Sequence, residues 1–394
     1  MMRGHEFLHA PGPTHIPDRV LAAMHRQPLD LIDERLREIA RTVFEDLKGI
    51  FRTQGHVFVY SANGHGGWEA VLANICKAGD AVLVPEVGHF SNSWAEHARA
   101  MGVETIILKG DWRHAIEPGQ VEDALRQDTE RRIKGVLAVQ VDTGTGLVND
   151  IPAVRAAMDA VGHPALLVAD TIASLAAMPF SMDEWGVDIA IAASQKALMC
   201  PPGLGIVAAN ARALDASVKL GAHHRYWDWR ARTGEESYTK FCGTMPEHHM
   251  FALREALDMI GEEGLPAVFA RHARLAGAVR AAVEAWSRGG ALSFNALVPE
   301  QRAPTVTTIR TDPGFDADSI RTHARRTLGV SVAGGLGMLA GKAFRIGHLG
   351  DLNEPMVLGC LGALEVAFLE LGVPHESGVR AATEALVSAR AGAA

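Results

Sequence analysis

The sequence predicts an α/β protein: a mainly parallel sheet sandwiched by helices, followed by a smaller α+β domain. Three observations carry this. Through the first two-thirds of the chain, short and nearly continuous apolar runs alternate with amphipathic stretches, the pattern of strands buried on both faces. Near Gly264-Leu265-Pro266 the pattern changes, and a long Ala/Arg-rich helix leads into a different mix of elements. With 394 residues, the chain exceeds what one simple core encloses, so two domains are expected.

Taken in order, residues 1–17 are expected to be an extended arm, since Ala10-Pro11-Gly12-Pro13-Thr14-His15-Ile16-Pro17 is too proline-rich for a helix. Asp18 can cap the helix that follows, and helical periodicity runs from Asp33 to Phe51. Strand-like runs follow at His56–Tyr60, Ala81–Pro85, Glu104–Leu108, Gly135–Val141, Ala165–Ala169 and Val187–Ala193. Helical stretches lie at Gly66–Lys77, Ser91–Met101, Pro118–Arg126 and Ile151–Val161. Residues 18–264 are read as the large domain and 265–394 as the small one. The small domain opens with a helix at Pro266–Ser287. Its strand-like runs are Ala291–Leu297, Thr305–Arg310 and Ala343–Ile346, and its further helices are Asp316–Leu328 and Glu354–Leu371. Gly329 to Gly341 is glycine-rich and reads as a mobile loop.

Composition narrows the function classes. A formal net charge of −8 disfavours a nucleic-acid partner. No apolar run approaches the roughly 18 residues of a membrane-spanning helix. Met1-Met2-Arg3-Gly4-His5-Glu6 lacks the apolar core of a signal peptide, and Ala391-Gly392-Ala393-Ala394 is not a peroxisomal address. Cys76, Cys200, Cys242 and Cys360 are widely spaced, which fits reduced thiols in a cytoplasmic protein and gives no metal site.

The chemistry centres on Lys196, between the apolar run Val187–Ala193 and a Pro201-Pro202-Gly203 turn. Desolvation lowers a lysine's pKa, and a neutral amine forms a Schiff base with an aldehyde. Upstream, Leu166-Leu167-Val168-Ala169 runs into Asp170. A lysine and an acid at neighbouring strand ends suggest pyridoxal 5'-phosphate, which needs both an amine for its aldehyde and a carboxylate for its ring nitrogen. The plainer reading of Asp170 is a helix cap, with Ile172 as ordinary core. Ser61-Ala62-Asn63-Gly64-His65-Gly66-Gly67 follows a strand and opens a helix, so it is either a phosphate cradle or a tight turn. Asp142-Thr143-Gly144-Thr145-Gly146 is a polar turn or a hydroxyl donor to the cofactor. Phe90 is a core aromatic or a ring-stacking one. Arg345 interrupts an apolar strand, and its planar fork suits a carboxylate or an interior salt bridge.

In this order the motifs resemble the class V aminotransferases of the fold-type-I pyridoxal phosphate superfamily, nearest the alanine/serine/aspartate–glyoxylate aminotransferase group. The resemblance rests on Pro11-Gly12-Pro13-Thr14, Gly64-His65-Gly66, Asp183-Glu184-Trp185-Gly186-Val187-Asp188, Ser194-Gln195-Lys196, Pro201-Pro202-Gly203-Leu204 and Phe344-Arg345-Ile346-Gly347-His348-Leu349-Gly350. It implies a seven-stranded large-domain sheet and transamination from a small amino acid to a 2-oxo acid such as glyoxylate or pyruvate, ping-pong via pyridoxamine phosphate. It makes Lys196 the Schiff-base lysine and proton shuttle, Asp170 the ring-nitrogen partner and Ile172 the residue under the ring. Asn63, Gly64, His65 and Gln195 stand at phosphate positions, Phe90 at the stacking position and Thr143 near the phenolic oxygen. Arg345 matches the clamp on the substrate α-carboxylate. Thr244 matches a phosphate contact supplied by the partner subunit, which implies a homodimer.

The chain departs from the family where Cys242 replaces a tyrosine and where Glu247, His248 and His249 follow Pro246. Glu247 and His248 are candidates for choosing the amino donor; the plainer reading is a capped first helical turn. A cysteine desulfurase or related lyase is disfavoured by Phe90, where such enzymes carry a stacked histidine. A pyridoxamine–pyruvate aminotransferase is disfavoured by the intact Asn63-Gly64-His65 and Gln195. A DNA-binding regulator on the same fold is disfavoured by the short arm before Asp18 and the net charge of −8.

Overall fold

The computed structural model describes residues 4–221 and 224–391. The expectations about targeting signals rest partly on Met1, Met2, Arg3, Gly392, Ala393 and Ala394, which lie outside the described residues. Among the described residues, the larger sheet has seven strands. Their order is His56–Ser61, Leu204–Ala209, Ile189–Ala193, Leu166–Asp170, Ile133–Val139, Ala81–Pro85 and Glu104–Leu108. All pairings are parallel except the two made by Leu204–Ala209.

Strand alternation explains why both faces are apolar. Val82 and Val84 pack on one side with Trp68, Trp94, Leu137 and Ile191. Ala81 and Leu83 pack on the other with Leu36, Val43, Leu47 and Leu167. Burying each such valine, leucine or isoleucine side chain contributes about 1.5–3 kcal/mol. The covering helices begin at side-chain caps: Asp33 for Glu34–Phe51, Asn63 for Gly64–Ile75 and Asp150 for Ile151–Val161. Asp18 does not cap. Pro17 holds the cap position, and Asp18 is the first residue of Asp18–Met24, where its carboxylate faces the positive helix end.

The second sheet runs Phe7–His9, Val330–Gly334, Ala343–Gly347, Val306–Thr311 and Leu292–Phe294. Trp286 meets Phe368 edge-on, ring centroids 5.0 Å apart, at the centre of its core. Two expectations are corrected here. The arm is not merely extended: Phe7–His9 pairs in parallel with Val330, Ser331 and Val332. Gly329 to Gly341 is not a mobile loop. Gly329 ends Ala317–Leu328 with a left-handed φ of 70°, and Val330–Gly334 is a strand whose buried Val330 and Val332 face the core. Glycine count hid a β-branched alternation. The run Gly135–Val141 also divides, into Ile133–Val139 and a short Val141–Asp142 paired with Leu147–Val148.

Three histidines are buried where the arm meets the small sheet. His9 Nδ1 lies 3.3 Å from the Gly347 carbonyl. His272 Nδ1 lies 2.7 Å from the Val268 carbonyl, and its Nε2 accepts from the Gly350 N–H at 3.1 Å. His348 Nδ1 lies 2.9 Å from the Pro304 carbonyl. Burial lowers all three, His272 to about 4 and His348 to about 3. The folded state therefore binds fewer protons than the unfolded state below pH 6.5, the ordinary histidine value. Each lowered histidine costs about 1.4 kcal/mol of stability per pH unit as pH falls from there towards its folded value. Asp170 acts oppositely: burial raises it from 3.8 to about 7, so its stabilisation is lost as pH rises through that window. Urea unfolding of His272→Gln should isolate the histidine contribution. Between pH 6.5 and 5 the variant should lose less stability than the parent, by about 1.4 kcal/mol per pH unit; equal slopes would contradict the assignment.

Candidate active site

The strand Ile189–Ala193 ends at Ser194, and the next turn is closed on that residue. Ser194 Oγ donates to the Pro201 carbonyl at 2.7 Å and accepts from the Leu204 N–H at 3.1 Å. Met199, at φ 56°, turns the chain back, and the antiparallel strand Leu204–Ala209 follows. Lys196 is held in this turn. The N-terminal arm docks on it: Thr14 N–H donates to the Gln195 carbonyl at 3.2 Å, and Thr14 Oγ1 donates to the Lys196 carbonyl at 3.0 Å. Lys196 Nζ donates to the Pro11 carbonyl. A Cβ at Gly12 would collide with the lysine side chain, and Gly12 also has φ 109°; only glycine fits.

Burial lowers the Lys196 ammonium to about 8, helped by the Arg345 guanidinium and opposed by Asp170 and Asp142. Asp170, at the end of the neighbouring strand, is also buried. Its Oδ2 accepts from Trp68 Nε1 at 2.9 Å, and its Oδ1 accepts from the Ile172 N–H at 2.8 Å. Burial nevertheless raises it to about 7. The buried site thus holds an amine and an acid, each shifted towards its neutral form, with their carbon frameworks fixed by adjacent strands.

Asp142 is a site residue to which sequence reasoning gave no role. Its Oδ2 accepts from the Phe90 N–H at 2.8 Å, and its Oδ1 accepts from the N–H groups of Gly144 at 2.8 Å and Thr145 at 3.2 Å. One carboxylate therefore sets both Phe90 and the turn carrying Thr143. The signal was present: an aspartate at a strand end followed by small residues is an Asx turn. Trp68, which orients Asp170, carried no comparable signal because a core tryptophan reads the same way. Arg345 lies on the small sheet and reaches across. Its Nε donates to the Gly334 carbonyl at 2.7 Å and its Nη1 to the Thr143 carbonyl at 3.0 Å. Burial lowers it to about 10.

A cavity of about 190 Å³ brings together Gly12, Gly64, His65, Phe90, Thr143, Asp170, Ile172, Gln195 and Lys196. A Cβ on Gly64 would lie 2.5 Å from Ile172 Cδ1, so that glycine lets the helix start close on the cavity wall. His65 lies with its ring 4.5 Å from Trp68 and 5.3 Å from His97, and burial lowers its pKa, helped by His97, His89 and Lys196. Gln195 Oε1 is buried and has no hydrogen-bond partner among the described residues. A larger cleft, of about 750 Å³, runs along Arg155 and Arg212, but it contains no lysine.

Other predicted residues stand elsewhere. Asn63 Oδ1 accepts from the His65 and Gly66 N–H groups at 3.1 and 3.3 Å, so its side chain caps the helix and does not line the cavity. Thr244 is exposed. Glu247 and His248 are not brought to the cavity within this chain. Glu247 Oε2 accepts from the Leu29 N–H at 2.7 Å, and His248 Nε2 lies 2.8 Å from the Arg26 carbonyl. They fasten the start of Glu247–Glu263 to the segment after the first helix, satisfying backbone groups that a chain turn leaves open. His249 Nε2 lies 3.2 Å from the Pro202 carbonyl.

Known proteins resemble this chain along almost its whole length. The family described as aminotransferase class V matches residues 7–340. A serine–glyoxylate aminotransferase of Methylorubrum extorquens is 41% identical over 391 residues, covering 97% of this chain and 96% of that protein. An L-aspartate–glyoxylate aminotransferase of Paracoccus denitrificans is 38% identical over 380 residues, covering 95% and 94%. The crystal structure of pyridoxamine–pyruvate aminotransferase from Mesorhizobium loti superposes with a TM-score of 0.88 at 26% identity, covering 99% of this chain and 98% of that one. With the family match spanning most of its residues, this chain belongs to the class V aminotransferases.

Proposed function

We propose that this aminotransferase binds pyridoxal 5'-phosphate in the Lys196 cavity and moves the amino group of a small amino acid (serine, aspartate or alanine) to glyoxylate or pyruvate. The observation that carries the reading is the convergence of a desolvated lysine amine and a buried carboxyl on one small cavity. Three features support the fit. Gly12 and Gly64 keep clear the space a Cβ would fill. Asp170 is raised to about 7, the condition of a buried acid that a cationic ring N–H would stabilise as carboxylate. The orphan Gln195 amide atom, turned to present its NH₂, supplies a donor for phosphate. Bound there, the cofactor supplies an aldehyde for the lysine amine and a ring that accepts electrons from the substrate's α-carbon.

The chain's own groups then divide the work. At pH 7.5, an amine with pKa about 8 is about one-quarter neutral, against about one in a thousand for an ordinary lysine. Lys196 Nζ would take the proton from the substrate's α-carbon and give it back later in the same half-reaction. Asp170 would hold the proton on the ring nitrogen, Phe90 and Ile172 would pack against the ring, and Thr143 would donate to its phenolic oxygen. Gly64, His65 and Gln195 surround the phosphate, with Asn63 shaping that helix start. Arg345 keeps Nη2 uncommitted among the described residues and grips the substrate α-carboxylate. The exposed Thr244 is offered to the phosphate site of a second subunit, making the enzyme a homodimer. Its thiols suit the cytoplasm, and none of the described helices is long and apolar enough to cross a membrane.

The cysteines argue against a desulfurase. Cys200 and Cys360 are buried with their thiols pushed up by desolvation, and Cys76 is pushed up to about 12. None of these three is a reactive thiolate. The likeness to pyridoxamine–pyruvate aminotransferase keeps one alternative: turnover of unphosphorylated pyridoxamine with pyruvate.

Initial rates with serine or aspartate varied against glyoxylate should give parallel double-reciprocal lines, because the amino group is stored on the enzyme between half-reactions. Intersecting lines, or turnover only with pyridoxamine, would overturn the reading. Cofactor capture by the stripped enzyme should accelerate with pH and level off near 8, where Lys196 becomes neutral. A rate still climbing towards 10 would show an ordinary amine.

A further inference from the structure

His89 has been given no role, yet it stands at the edge of the site. It is the first residue of the helix His89–Ala100 and directly precedes Phe90, with their ring centroids 5.2 Å apart and nearly perpendicular. Two glycines stand against it from other elements. A Cβ on Gly144 would lie 3.3 Å from His89 Cβ, and a Cβ on Gly337 would lie 3.6 Å from His89 Nδ1. Gly144 follows Thr143, whose carbonyl holds Arg345. Gly337 belongs to the small-sheet segment just after Gly334, whose carbonyl also holds Arg345. His89 therefore shares its surroundings with the guanidinium that grips the α-carboxylate.

His89 is half-buried, and its ring nitrogens have no hydrogen-bond partner among the described residues. That separates it from His9, His272 and His348, each of which engages a backbone carbonyl through Nδ1. It also lies close enough to interact electrostatically with Asp142 and His65. Behind Gly337 the wall is rigid. A Cβ there would lie 2.7 Å from the Trp112 ring, and Trp112 Nε1 donates to Glu86 Oε1 at 3.2 Å. A side chain at Gly144 or Gly337 would press against His89.

We propose that His89 selects the amino donor, by hydrogen bonding to a short side chain that ends in a hydroxyl or a carboxylate. This rests on the aminotransferase reading above and names its donor class. An imidazole with uncommitted nitrogens donates to either group, and a methyl side chain gives it nothing to bind. One such hydrogen bond discriminates by about tenfold, and more when the acceptor is charged.

The test compares kcat/KM for serine, aspartate and alanine, each with glyoxylate, in the cofactor-loaded enzyme. In His89→Ala the serine-to-alanine ratio should fall about tenfold, and the aspartate-to-alanine ratio by at least as much. His89→Asn, which keeps a donor, should restore part of the serine ratio. Should His89→Ala fold poorly, the ratio in His89→Asn and His89→Phe decides: a smaller fall in Asn than in Phe supports the proposal. Ratios within twofold of the parent in all variants would overturn it. Failure of the parent enzyme to turn over any amino acid would instead overturn the aminotransferase substrate reading beneath it.

Discussion

Burying an amine next to an acid without letting them neutralise each other's function is the constraint around which this protein is organised. A charged ammonium and a charged carboxylate in a dry interior each carry a desolvation penalty of several kcal/mol. Here the balance leaves Lys196 near 8 and Asp170 near 7, so both titrate close to neutrality. Hydrogen bonds decide the rest. Asp170 is fixed by Trp68 and the Ile172 amide, Asp142 by three amides, and Arg345 by two carbonyls. Each of these three groups is oriented by partners that do not themselves titrate, which leaves the lysine amine free to change protonation without disturbing its frame.

The same frame joins the two sheets. The arm pairs with the small sheet through Phe7–His9, passes against Gly347, and reaches Lys196 through Pro11 and Thr14. From the other side Arg345, on the small sheet, bonds to Thr143 in the turn beyond the large sheet. The site is thus a joint with two independent ties, and moving one sheet against the other would alter the position of the guanidinium relative to the amine. The buried histidines lie along this joint, and the neutral state that burial imposes on them lets His272 accept from Gly350.

Much of this was legible in the chain. Continuous apolar runs identified the parallel strands, and strand-end positions singled out Lys196 and Asp170, because a buried strand ending in a polar residue has few structural excuses. What escaped had physical causes. The strand Leu204–Ala209 follows a Pro-Pro-Gly turn that reads as a loop, and its antiparallel direction has no sequence signature. Val330–Gly334 was masked by neighbouring glycines. Asn63 belongs to the right motif but spends its side chain on the helix cap, while the cavity wall falls to Gly64 and Gln195. Glu247 and His248 were candidates because they are titratable and close to Thr244 in sequence. Their partners Leu29 and Arg26 are more than 200 residues away, and long-range pairing of that kind leaves no local trace. Asp142 and His89 are assigned by three-dimensional neighbours that sequence spacing does not bring together.

The central claim is that one lysine of this chain carries the chemistry. Borohydride reduction of the purified enzyme, followed by peptide mass mapping, tests it most directly. The account predicts a reduced phosphopyridoxyl adduct on Lys196 and on no other lysine. An adduct on a different lysine, or a cofactor-loaded enzyme that yields no adduct at Lys196, would contradict it.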